Sequence, residues 1–249
     1  MLELWQLLLL TIIGIFAGWV NVLAGGGSLL SVPALVLFGL PGPVANGTNR
    51  IAIIGQNIVA VSTFFRQGFS DFRLSASLAA CASIGAYAGA HIGVQLDGEW
   101  FDRVLAIVMV AVMILMATGN NERKQVLVGE KPRNLILGHI LMVGAGLWGG
   151  FIQIGVGFIL MPILYRVMGI DLVRVNMHKV FIALVFSFVA LAVFMSNVQI
   201  AWQAGIALAI GNALGGFLGA RTTVAKGAPF VKMVLYVVVA AMVIKLLFL

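Results

Sequence analysis

Two short polar constellations interrupt an otherwise apolar chain, and both have the composition of an anion site. The first is Gly25, Gly26, Gly27 and Ser28, followed by Leu-Leu-Ser31-Val-Pro33. Consecutive glycines break a helix rather than line a packing face. The free N–H groups at the start of the next helix, with its positive dipole end, suit a negative charge. Gln153, Gly155 and Gly157, ahead of Pro162, form a weaker second copy. The second constellation is Asn46-Gly47-Thr48-Asn49-Arg50, with a counterpart at Asn176-Met177-His178-Lys179. Asn46 and Asn176 have the residue type of helix N-caps, and each is expected to open a long helix. A cation near a helix N-terminus opposes the dipole, so Arg50 and Lys179 call for a negative partner. Arg50 reads equally as an anion ligand or as a snorkelling anchor, and Lys179 is the weaker candidate. Gln56, Asn57 and Gln153 are further polar residues in apolar surroundings, a setting in which side chains face a bundle interior. The candidate binding set is Gly25, Gly26, Gly27, Ser28, Asn46, Thr48, Asn49, Arg50, Gln56, Gln153, Gly155, Gly157, Asn176, His178 and Lys179.

Other chemistries find little support. His91, His139 and His178 lie far apart, with no carboxylate or thiol at ligand spacing, so neither a metal nor a cofactor is expected. His178 is a minor candidate for a proton carrier. Asp71, Asp97, Glu99, Asp102 and Asp171 read as loop acids, and the single Cys81 as a small packing residue. No phosphate-binding lysine loop and no nucleophile elbow occurs, so neither ATP-driven transport nor hydrolysis is indicated. Glycines at 85, 89 and 93, and at 211, 215 and 219, repeat every four residues without polar neighbours and read as helix-packing positions.

The elements that position these residues follow from composition. Of 249 residues, 62% are apolar and 9% charged, against about 45–50% and about 25% in soluble domains. Too little charge is present to coat a water-soluble fold. The chain is expected to be an all-α, polytopic membrane protein. The net charge of +7 is spread singly between apolar runs, which fits membrane orientation rather than nucleic acid. The N-terminus carries Glu3 and no basic residue before its apolar run, so a retained first helix is expected there.

An internal repeat organises the helices. Gly85-Ala-Tyr-Ala-Gly89 matches Gly215-Gly-Phe-Leu-Gly219 at an offset of 130, and the runs from Arg103 and Met233 match at the same offset. Two halves result, 1–120 and 134–249, joined by a polar linker at 121–133. Each half offers five apolar runs, at 4–23, 28–40, 46–65, 74–95 and 101–118, then at 135–153, 158–168, 176–196, 202–221 and 230–249. Eight are long. The runs at 28–40 and 158–168 are short or broken, because a full crossing takes about 20 residues. Loop charge reverses between the halves: the 97–103 loop is acidic, and its counterpart holds Arg221, Lys226 and Lys232. With the linker in the cytoplasm, every Lys and Arg except Arg50, Arg103 and Lys245 falls on that side. Inverted repeats with both termini outside are therefore expected, the short run carrying the chain across. Interrupted helices in inverted halves are the pattern of secondary transporters. A channel-like anion conductor and a non-transporting assembly factor are the alternatives.

AGGGSLLSVPALVLFGLPGPVANGTNR, residues 24–50, resembles the signature of the TauE/SafE sulfite-exporter family, and GGFIQIGVGFILMPILYRVMGIDLVRVNMHK, residues 149–179, resembles its second copy. The resemblance implies gradient-coupled export of a small sulfur-containing anion such as sulfite, a sulfonate or sulfoacetate. It also implies a multi-pass protein of the bacterial inner membrane. The partners expected are this anion and the lipid bilayer, with no nucleic acid, and a homodimer as an open option. In half two the glycine run has become Gly155-Val-Gly157, and His178 stands where a small hydroxyl residue is common.

Overall fold

The computed structural model describes residues 3–95 and 132–248, with residues 100, 103 and 107 between them. The first four helices are α1 (Leu4–Ala24), α2 (Ser28–Leu37), α3 (Gly42–Arg66) and α4 (Phe72–Val94). The next three are α5 (Leu135–Phe151), α6 (Val156–Pro162), which runs into a π-helical turn at Ile163–Val167, and α7 (Leu172–Asn197). A last helical run, Trp202–Phe248, is broken at Gly227 (φ 63°, ψ −165°), which gives α8 (Trp202–Gly227) and α9 (228–248). No strand occurs among the described residues. The expected run at 101–118 and the linker at 121–131 lie outside the described residues, apart from helical residues 103 and 107.

Within the described residues the apolar runs form helices close to where they were expected, but two expected caps move. Asn46 lies inside α3, which starts earlier because Gly42 and Pro43 form its first turn. Asn176 lies inside α7, where Asp171 is the cap and accepts from the N–H groups of Val173 and Arg174. Asp71 caps α4 in the same way. Two expected loop acids thus satisfy helix N–H groups, and the two asparagines are freed for the interior.

Among the described residues, four helices are long and apolar enough to cross a bilayer: α1, α4, α7 and α8. α3 is as long but carries Asn46, Thr48, Asn49, Arg50, Gln56 and Asn57, all buried. Polarity faces inward and apolarity outward, as expected where the solvent is hydrocarbon. Ile206, Ile210, Leu214 and Leu218 form an exposed stripe on α8, and Leu4, Leu8, Ile12 and Phe16 form one on α1.

Side-chain contacts give the direction of each helix. Gly211 and Gly215 of α8 meet Thr11 and Ile15 of α1, so these two run parallel. Gly85, Gly89 and Gly93 of α4 meet Val143, Leu147 and Phe151 of α5, again in parallel. A Cβ on these glycines would strike a backbone carbonyl of the facing helix, so they serve close helix packing, as their spacing suggests. Gly205 and Gly216 of α8 lie on Thr48 and Gln56 of α3, and Ser75 and Gly93 of α4 lie on His178 and Phe194 of α7. Helices α1, α3 and α8 therefore run one way, and α4, α5 and α7 the other.

The short helices turn back. Phe38, just after α2, packs its ring on Trp5 near the start of α1. The N–H of Arg133 donates to Met168 O at 2.9 Å, which returns the end of the π turn to the start of α5. Each of α1–α2 and α5–α6 is thus a hairpin whose tip lies inside the bundle, and the two enter from opposite ends. At ten residues α2 rises only ~15 Å, so the connecting residues complete its return. The tips meet backbone to backbone at Gly25 and Gly157.

A methyl group at Gly89 would press on the Leu147 carbonyl. Gly89→Ala is expected to cost about 1–3 kcal/mol, read as a lower thermal midpoint of the purified protein in detergent. Gly144, with open space beside it, tests this: Gly144→Ala should not lower the midpoint.

Candidate functional site

The hairpin tips leave helix ends deep inside the bundle, and each end exposes carbonyls that no turn of helix follows. At the end of α5, Arg50 donates from Nη1 to Gly149 O at 3.1 Å and from Nη2 to Gly150 O. Asn46 donates from Nδ2 to Phe151 O at 2.8 Å. At the end of α1, Lys179 donates from Nζ to Val22 O at 2.7 Å and to Asn176 Oδ1 at 2.8 Å. Arg50 is 0% and Lys179 3% exposed. The negative partner that each cation calls for is therefore the carbonyl end, and the negative dipole pole, of a hairpin helix from the opposite half. The face of Phe194, with Arg50 Cζ 4.5 Å from its centroid, covers the rest of the guanidinium.

Between the tips lies a cavity of ≈20 Å³, lined on its polar side by Asn21, Ser28, Asn57, Gln153 and Lys179. Ile53, Val156, Gly157, Leu160, Val180 and Ala183 complete it. Of the residues expected to form a site, Ser28, Gln153, Gly157 and Lys179 meet here. A second group stands one bond behind. Asn49 donates to Ser28 Oγ at 3.4 Å and accepts from Ser31 Oγ at 2.6 Å, which leaves the Ser28 proton free to donate. Asn176 holds Lys179, and Gln56 donates to Asn57 Oδ1 at 3.1 Å.

The remaining candidates lie elsewhere. Gly25, Gly26 and Gly27 let the α1–α2 turn pack on Gly157, Phe158 and Ala17, and Gly25 takes the left-handed conformation (φ 86°) that caps α1. Gly155 does the same ahead of α6 (φ 70°). Thr48 accepts from the N–H of Ala201 at 3.1 Å and ties α3 to the loop before α8. His178 points away, its Nδ1 2.8 Å from Ser75 Oγ of α4. Asn46 and Arg50 hold α5. Cys81 is partly buried against the core, as a packing residue would be.

Two features sharpen the site. Gln153 is a non-glycine residue in the left-handed region (φ 60°), a conformation costing on the order of 1–2 kcal/mol. Its Nε2 donates to Ser187 Oγ at 2.9 Å while its Oε1 is buried without a partner. Asn57 Nδ2 is likewise buried and unpartnered. Stored strain and unpaired amides at one cavity are the marks of a ligand site. Asn21 was not singled out above; its signal is a lone amide four residues ahead of the glycine run.

Paired interrupted helices around a buried polar cavity are features found in membrane transporters. The comparison with known proteins agrees. The chain belongs to the family described as Sulfite exporter TauE/SafE, whose family model matches residues 10–246. It is 25% identical over 246 residues to a "Probable membrane transporter protein" of Haemophilus influenzae, covering 97% of this chain and 94% of that one. It is 24% identical to the probable membrane transporter protein YfcA of Escherichia coli K12, with 95% and 87% covered. A similar match, 24% identical with 93% and 88% covered, is ORF9 of a Sinorhizobium species. No solved structure matches.

Replacing Arg50 tests its role at the α5 end. Arg50→Met strands the Gly149 and Gly150 carbonyls and is expected to cost about 1–3 kcal/mol. Arg50→Lys, with one ammonium for two carbonyls, should fall between Arg50→Met and wild type in thermal midpoint.

Proposed function

We propose that the protein is a secondary transporter that carries a small sulfur-containing oxyanion across the bacterial inner membrane by alternating access, coupled to an ion gradient. The observation that carries this reading is the cavity at the meeting of the two hairpin tips. Lys179 is its charged wall, and Ser28, Asn57 and Gln153 supply neutral polar groups. One cation among neutral amides and hydroxyls suits a small anion, and the apolar remainder of the wall strengthens the attraction by excluding water.

The halves 1–120 and 134–249 are read as inverted repeats. Parallel pairing of α1 with α8 and of α4 with α5 supports this, because each pair joins the first helix of one half to the fourth of the other. Matched contacts support it too. Gly85 faces Val143 and Leu147, and Gly215 faces Ile15 and Trp19. Arg66, Arg73, Arg133, Arg174 and Arg221 share the end of the bundle where α3 stops, which supports a cytoplasmic linker and both termini outside.

A cavity of ≈20 Å³ holds about one water-sized group. An oxyanion of four or more heavy atoms enters only when the tips part. Motion of one hairpin against the other, about the Gly25–Gly157 contact, would open the site to either side in turn. The family description supports sulfite as the first anion to test.

Sulfite flux into proteoliposomes is expected to saturate, and Lys179→Ala to reduce it by at least about tenfold. Undiminished flux in Lys179→Ala would remove Lys179 from the site. A reporter fused after Leu249 should read outside the cytoplasm, and a cytoplasmic reading would overturn the inverted arrangement.

A further inference from the structure

Asn57 is 1% exposed, lines the central cavity, and has one amide hydrogen-bonding group without a partner. An amide in such a place ordinarily offers a ligand either a donor or an acceptor, since flipping it exchanges the two. Here a chain of bonds removes the choice. The Gly27 backbone N–H, which can only donate, bonds to Asn21 Oδ1 at 3.3 Å. That leaves Asn21 Nδ2 as a donor, and it bonds to Gln56 Oε1 at 3.2 Å. Gln56 Nε2 must then donate, to Asn57 Oδ1 at 3.1 Å. Asn57 Nδ2, the unpartnered group of a residue that lines the cavity, is left as a donor and nothing else. Reversing Asn57 would set two N–H groups face to face, and reversing the whole chain would set Asn21 Nδ2 against the Gly27 N–H. Each bond polarises the next in the same direction, which strengthens the terminal donor.

We propose that Asn57 is the specificity-determining donor of this site. Asn21 and Gln56 act as positioning residues that hold it in one orientation, so that the site admits a deprotonated oxygen and rejects a group that itself donates. This rests on the anion-transport reading above and adds to it the chemistry of selection. The glycine turn, which breaks the helix, is also where the orientation of the amides begins. Gln56 itself does not line the cavity; it packs on Gly216 of α8. It would reach the ligand only through Asn57.

Two probes of nearly the same shape separate donor selection from fit. Methanesulfonate presents three acceptor oxygens and one negative charge. Methanesulfonamide replaces one oxygen by a neutral NH₂ donor. Binding of each is measured by calorimetry on the purified full-length protein in detergent, for wild type, Asn57→Leu, Asn57→Ser and Gln56→Met. Wild type is expected to prefer the sulfonate. Asn57→Leu should weaken sulfonate binding by about tenfold or more and leave sulfonamide binding nearly unchanged. Asn57→Ser, which can still donate, should retain most of the preference. Gln56→Met should lower the sulfonate-to-sulfonamide ratio several-fold although it removes no group from the cavity wall. Should Asn57→Leu fail to fold, the ratio in Gln56→Met and Asn57→Ser decides. An unchanged ratio in Gln56→Met overturns the orienting chain. Unchanged sulfonate binding in Asn57→Leu overturns Asn57 as the donor, with anion transport left standing. Failure of wild type to bind methanesulfonate or sulfite overturns the anion reading and the donor with it.

Discussion

Everything in this bundle depends on terminating two helices inside it. A helix that stops in a low-dielectric interior leaves carbonyls with no partner, and each buried orphan costs energy comparable to a lost hydrogen bond. The protein meets this cost with one buried cation per tip. Arg50 and Asn46 take the carbonyls of Gly149, Gly150 and Phe151, and Lys179 takes that of Val22. In each case the cation comes from the other half of the chain. The end of α5 is completed by α3 and the end of α1 by α7, so the two parts of the chain are bound to each other where the hairpin tips meet.

The rest of the packing makes that arrangement reachable. α1 and α5 bring their carbonyl ends to α7 and α3 because glycines on α8 and α4 let them lie backbone to backbone. Gly25 and Gly157 allow the tips to touch, and a side chain at either would force them apart. The two cations are not equivalent. Arg50 is shielded by Phe194 and stays out of the cavity, whereas Lys179 caps α1 and lines the cavity as well. An anion in the cavity would therefore share its counter-ion with the end of α1. That links occupancy of the site to the stability of a hairpin tip.

Much of the fold was legible because helix-forming runs and glycine breaks are local. The breaks at residues 25–27 and 152–155 and the small-residue stripes on α4 and α8 lie at or beside glycines that spacing singles out. Helix starts were less legible. Gly42, Pro43 and Asp171 began helices ahead of Asn46 and Asn176, since a cap works by geometry that residue type alone does not supply. The candidate site was legible only in part, as a neighbourhood of residues that share one cavity. Ser28, Gln153, Gly157 and Lys179 meet at the cavity, while Arg50, Thr48 and His178, equally polar and equally buried, turn to structural partners.

By itself the sequence determined the membrane class, the runs that become helices and the places where two of them break. Those depend on composition and on neighbours within a few residues. Only the tertiary structure decided which polar group faces the cavity and which caps a helix. The deciding bonds join residues 99, 100 and 157 positions apart, and no local pattern carries that information. For the same reason the chain from Gly27 through Asn21 and Gln56 to Asn57 could not be read from spacing. Which end of an amide points at a ligand depends on a fixed donor that folding brings against it.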